Sequence, residues 1–140
     1  MIVQPYLFFD GRCEEALAFY REKLGAQVLF QLRAKDAPGD HAIEGEHGER
    51  IMHASFRIGE TTLMASDGKP DEPPTPHSGF SLSVSATDAA EGQRMFDALA
   101  TGGEVSFPWQ KTFWTEGFGM LTDQFGIPWM VNVAHEESKA

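Results

Sequence analysis

The sequence predicts an α+β fold in which a strand–helix–strand–strand–strand unit occurs twice. Three observations carry this. The segments FYREKLGAQVLF (19–30) and MFDALATGGEVSF (95–107) correspond, Phe19 with Phe96, at an offset of about 77 residues. Apolar and polar residues alternate at Ile51–Ile58 and again at Phe80–Ser85, the period of a half-buried strand. Between the halves lies a stretch holding Pro70, Pro73, Pro74 and Pro76, which neither helix nor central strand accepts. The expected organisation is a single domain over 1–140. Its first βαβββ half covers about 1–66, its linker about 67–77 and its second half about 78–134. Two such halves are expected to form a curled mixed sheet with the helices on its convex side.

Taken in order, IVQPYLFF (2–9) is an apolar run ended by Asp10-Gly11, a first strand whose Pro5 suits an edge or a bulge. Cys13, Ala16, Leu17, Tyr20 and Leu24 then share one helical face, and Gly25 stands where a helix commonly stops. Gln27–Leu32 is a second strand. Residues 33–50 are rich in Gly, Asp, Glu and His, lack periodicity and read as a mobile loop. In the third strand Met52, Ala54, Phe56 and Ile58 form the face expected to be buried, and His53, Ser55 and Arg57 the polar one. Gly59-Glu60 turns the chain into a fourth strand, Thr61–Ala65. In the second half Asp88 and Glu91 form a capping box ahead of a helix that runs to Gly102-Gly103.

The last part of the chain, FPWQKTFWTEGFGMLTDQFGIPWMVN (107–132), holds all three tryptophans, and Asp123-Gln-Phe-Gly126 suits a tight turn between antiparallel strands. Aromatic side chains at this density fill a core or line a pocket. Gly117 and Gly119 flank Phe118, which favours a backbone bent to aim its ring.

Composition sets outer bounds. The formal charge of −10 argues against nucleic acid and anionic membrane as partners. No 18-residue apolar run is present, so no membrane-spanning helix is expected. The chain enters its first strand without a basic leader, and one cysteine, Cys13, cannot form an internal disulfide. Both fit a cytoplasmic protein. Cys13 lies on the apolar helical stripe and is expected to be buried and inert.

The segments PYLFFDG (5–11), EEALAFYREKLGA (14–26), IMHASFRIG (51–59), LMASDG (63–68) and TFWTEGFGMLTDQFGIPWMVN (112–132) resemble the vicinal-oxygen-chelate superfamily. That superfamily includes glyoxalase I, bleomycin-resistance proteins and extradiol dioxygenases, and the chain is most similar to its PhnB-like branch. Members of that branch have carried a methyltransferase label, but no glycine-rich nucleotide loop follows a strand here. The resemblance implies four metal-ligand positions, one near each of four strands. They fall on Gln4, on Met64 or Ala65, near Gly79 (with His77 two residues early) and on Met130. Only Gln4 is a plausible donor, so no metal and no other cofactor is expected. His41, His47 and His53 recur every six residues, a spacing that justifies no ligand set.

His53 is the best candidate for a general acid or base, because an unperturbed imidazole titrates near neutrality. The ligand pocket is expected to include Gln4, Tyr6, Ser55, Arg57, Asp67, Trp114, Phe118, Met130 and Asn132. The leading expectation is a bleomycin-resistance-like protein, homodimeric by resemblance, that binds a small molecule without the usual metal. A glyoxalase-like lyase or isomerase, with His53 as acid–base and a divalent metal on non-standard ligands, is the alternative. A third reading, partner binding by an exposed aromatic hairpin, predicts an apolar surface patch around Trp109–Phe118.

Overall fold

A computed structural model describes residues 1–74 and 76–134, and contacts divide the chain into two compact units, Met1–Thr75 and Pro76–Ala140. The first unit holds β1 (Tyr6–Phe8), α1 (Cys13–Leu24), β2 (Gln27–Arg33), β3 (Ile51–Ile58) and β4 (Thr61–Ser66). The second holds β5 (Leu82–Ala86), α2 (Ala89–Ala100), β6 (Glu104–Gln110), β7 (Phe118–Thr122) and β8 (Pro128–Val133). The βαβββ pattern therefore occurs twice, as a four-stranded mixed sheet in each unit. Strand order is β1-β4-β3-β2 in the first and β5-β8-β7-β6 in the second. The strand before each helix pairs in parallel with the last strand of its unit, and the remaining pairs are antiparallel.

In the first unit α1 buries Cys13, Ala16, Leu17, Phe19 and Tyr20, and the Tyr20 ring stacks on Phe56 at 6.1 Å. The helix ends at Gly25, whose left-handed φ of 69° lets its N–H reach the carbonyls of Arg21 and Tyr20. Phe56 and Ala54 are fully buried beneath the helix, so the opposite face of this sheet carries His53, Ser55 and Arg57. Met52 departs from the expected face and is exposed. Leu32 pairs with His53 and Arg33 with Ile51, so Met52 is an extra residue that bulges from the ladder.

Two further expectations change. The first strand is three residues long, because Ile2 and Val3 are exposed and unpaired, although the Pro5 carbonyl still accepts from Met64 N–H. Residues 33–50 are three single 3₁₀ turns rather than an open loop, at Ala34–Asp36, Gly39–His41 and Gly45–Glu49. Ala34 N–H bonds the Arg50 carbonyl, Ile43 N–H the Ala34 carbonyl, and Lys35 pairs with Glu49 at 2.5 Å. These bonds join the two ends of the segment, which no periodicity reveals.

In the second unit Asp88 caps α2, accepting from Glu91 N–H, while the Glu91 carboxylate reaches Thr87 N–H. β6 runs three residues beyond Phe107 and passes through Pro108, which an edge strand tolerates. The β7–β8 turn is built on Asp123. Its carboxylate accepts from the N–H groups of Phe125 and Ile127 and from the Trp129 indole, and Gly126 takes φ 86°. Trp129 is thereby fixed in the core.

Cys13 is fully buried, and burial, followed by the nearby Asp67 and Glu14 charges, pushes its thiol up to about 12. It stays protonated far above the pH at which an unfolded thiol ionises. We expect a thiol reagent at pH 8 to label Cys13 only once guanidinium unfolds the chain. Rapid labelling of the native protein would contradict this burial. The same shift makes folding less favourable as pH rises from about 9 towards 12, because only the unfolded thiol ionises in that window.

Candidate functional site

The face of the first sheet opposite α1 is assembled from cross-strand partners. Tyr6 lies beside Met64, Met64 beside Ser55 and Ser55 beside Phe30. Next to this row stand Phe8 paired with Ser66, His53 with Leu32, and Arg57 between Gln27 and Thr62. Tyr6, Phe8 and Phe30 are all more than a third exposed, so the face is apolar and accessible within this unit.

At its centre the Tyr6 hydroxyl lies 2.9 Å from His53 Nδ1, with ring centroids 5.6 Å apart. Phe8 sits 5.1 Å from the Tyr6 ring and Phe30 6.0 Å from the imidazole. Burial raises the Tyr6 pKa, a Ser66 hydrogen bond partly offsets this, and the Cys13 charge adds to it. Tyr6 therefore keeps its proton at neutral pH, and its hydroxyl shares a hydrogen bond with His53 Nδ1. This bond orients the His53 ring, and among the described residues no hydrogen bond engages its Nε2. Arg57, at the exposed end of the strand, donates to Gln27 Oε1 at 2.8 Å.

Gln4 is half-buried and precedes β1. Asp67 occupies a different place from this face. It is 2 % exposed, and its carboxylate accepts from Gly11 and Cys13 N–H at the head of α1 and from Ile51 N–H, each at 2.8 Å.

The four positions implied for a metal supply an amide at Gln4, a thioether at Met64, another at Met130, and nothing that ligates at Gly79. Ala65, the other possibility on β4, is buried on the helix side. Thioethers do not suit a hard divalent cation, and one amide oxygen alone does not hold it. Among the described residues no three His, Cys, Asp or Glu side chains converge to hold a metal ion. His41 and His47 lie in separate 3₁₀ turns, and His53 is on β3.

In the second unit the face opposite α2 pairs Phe118 with Asn132 and Met120 with Met130. The rings of Phe107, Phe118, Trp114 and Phe113 follow one another edge-to-face at 5.5, 5.4 and 4.9 Å. Phe113 is 98 % exposed and Trp114 47 %, the exposure that the partner-binding reading predicts. Asn132 Oδ1 is shielded from solvent and has no hydrogen-bond partner among the described residues. Sequence reasoning missed Phe8, Phe30 and Ser66 as neighbours of the Tyr6–His53 pair. Strand register, invisible along the chain, brings them together.

No helix among the described residues is long and apolar enough to cross a membrane. The family model for the Glyoxalase/Bleomycin resistance protein/Dioxygenase superfamily matches residues 2–131. The chain is 37% identical to Protein YjdN of Escherichia coli K12 over 145 residues, covering 98% of each. It is 41% identical to protein PA1353 from Pseudomonas aeruginosa, with a TM-score of 0.85 over 95% of this chain and 97% of that one. A Bacillus cereus PhnB protein, described as a putative 3-demethylubiquinone-9 3-methyltransferase, is 26% identical, with a TM-score of 0.76 over 96% of this chain and 100% of its own. The duplicated βαβββ fold and these matches make the chain a PhnB-like member of the Glyoxalase/Bleomycin resistance protein/Dioxygenase superfamily.

Proposed function

We propose that the chain binds a small molecule, in the manner of bleomycin-resistance proteins, without the superfamily's usual metal site. One observation carries this reading: the Tyr6–His53 pair stands in an aromatic face whose paired positions bear no carboxylate. Such a face suits a flat ligand, which the rings stack against while His53 Nε2 and Ser55 supply polar contacts. The protein acts as a cytoplasmic homodimer in this proposal, as one domain of two halves. Trp114, Phe118, Met130 and Asn132 offer ligand contacts of their own within the second unit.

The test is a thermal-shift screen of flat aromatic and cationic compounds, repeated with Tyr6→Phe and His53→Ala. A hit should lose at least roughly tenfold in affinity in both variants, about 1.4 kcal/mol. Undiminished binding in both would remove the site from this face.

The Tyr6–His53 hydrogen bond also favours a second reading, a lyase or isomerase in which the oriented imidazole moves a proton. Elemental analysis of protein purified without chelator or metal-affinity tag separates the two. Near-stoichiometric metal that disappears in His53→Ala would support the enzyme, and background metal in both proteins the binder. The methyltransferase description of the Bacillus cereus relative is not adopted, because the chain lacks a glycine-rich loop for a nucleotide-like methyl donor.

A further inference from the structure

A cavity of about 610 Å³ opens in the first unit beside the start of α1, and its lining includes Gly11, Glu46, His47, Arg50, Ile51 and Asp67. Three of its other charged groups, Arg33, Glu14 and Glu49, form a neutral cluster with Lys35. Arg33 pairs with Glu14 and Glu49, and Glu49 also with Lys35. Arg50 differs. Among the described residues it has no carboxylate within ion-pairing distance, and its only hydrogen bond runs from Nη2 to the Asp67 carbonyl at 2.7 Å. Its Nε is buried without a partner. The Asp67 carboxylate makes no direct ion pair with Arg50; its oxygens accept from Gly11, Cys13 and Ile51 N–H. Gly11 leaves room for the guanidinium: a Cβ there would lie 3.2 Å from Arg50 Nη1.

A half-buried guanidinium with idle donors, in a chain of net charge −10, is unusual. The open hydrogen-bonding capacity of Arg50 is met by a carboxylate, which matches the planar fork of an arginine. The rim carries the opposite demand. The Glu46 side chain is 88% exposed, and among the described residues no lysine or arginine pairs with it; the His47 imidazole lies 3.5 Å away. A free dianion would be repelled by that rim, whereas an amino group on the same ligand would meet it favourably.

We propose that this cavity is a binding site for a small amino acid-like zwitterion, its carboxylate on Arg50 and its ammonium towards Glu46. No residue of the Tyr6–His53 face takes part, so the site stands independently of the function proposed above.

The test uses the full chain labelled with ¹⁵N and titrated at pH 7 and constant ionic strength with glycine, acetate and inorganic phosphate. Glycine should shift the Gly11 and Ile51 amides saturably, acetate more weakly, and phosphate no more than chloride. Arg50→Gln should abolish the glycine response. Arg50→Lys, which keeps the charge but loses the fork, should weaken it about tenfold. Glu46→Gln alters only an exposed rim side chain and should reduce glycine binding to the level of acetate. Glycine shifts that fail to saturate, or that survive in Arg50→Gln, overturn the proposal. Phosphate binding as tightly as glycine, or no response to Glu46→Gln, overturns the zwitterion assignment; the Glu46 variant decides the matter even if Arg50→Gln fails to fold.

Discussion

Replacing Asp67 with Asn is expected to lower the melting temperature by roughly 10 °C. Asp67 accepts three backbone N–H bonds at 2.8 Å in a place that is 2 % exposed. Two of these, from Gly11 and Cys13, tie down the turn into α1 and one of the N–H groups that a helix start leaves without a partner. The third, from Ile51, fixes the start of β3. An amide has the same shape but offers a single acceptor oxygen. Turned to keep Gly11 and Cys13, it sets its own N–H₂ against Ile51 N–H. The loss is one charge-assisted bond plus a buried donor without a partner, together about 3 kcal/mol. Calorimetry or far-UV circular dichroism measures it, with Asp71→Asn in the exposed linker as the control. Cys13 should also label faster in the variant, because a less stable fold opens more often. A melting temperature within about 2 °C of the parent would mean that these bonds contribute little.

Nothing in the local sequence announces that role. Asp67 stands before Gly68 at the end of a strand and reads as a turn residue, while two of its partners lie 56 and 54 positions away. The same distinction between near and far separates what the chain discloses from what it hides. The stripe Cys13, Ala16, Leu17, Tyr20 and the stop at Gly25 are neighbours in sequence, so α1 is legible to within a residue. The Asp88–Glu91 cap and the Asp123–Gly126 turn are legible for the same reason. Met52 was misplaced because alternation assumes an unbroken ladder, and a bulge is set by the partner strand. The facing of Tyr6 and His53 could be anticipated from strand parity, but their hydrogen bond could not. It depends on β4 lying between β1 and β3. Arg50 ends a segment without periodicity, and only the folded turns of 33–50 show that it lines a cavity where, among the described residues, no carboxylate pairs with it directly.

Replacing Gly117 with Ala is expected to destabilise the second unit by about 3 kcal/mol, the upper end for overpacking. Its position beside Phe118 suggested a backbone bent to aim that ring, yet neither Gly117 nor Gly119 has a positive φ. Their missing side chains serve packing. A Cβ on Gly117 would lie 2.2 Å from Trp109 Cζ2, and one on Gly119 2.5 Å from Phe96 Cε2. Gly92 on α2 approaches the same indole, where a Cβ would lie 2.5 Å from Cη2, so Trp109 is held between two glycines. A double-mutant cycle isolates this contact. Trp109→Leu alone loses buried area and should cost a few kcal/mol. In that background Gly117→Ala meets a smaller side chain, and its added cost should fall below about 0.5 kcal/mol. An equal cost for Gly117→Ala in both backgrounds would show that something other than the indole excludes a side chain there. The predicted coupling would show that a glycine flanking an aromatic in this chain marks the ring packed across from it, not the ring next to it.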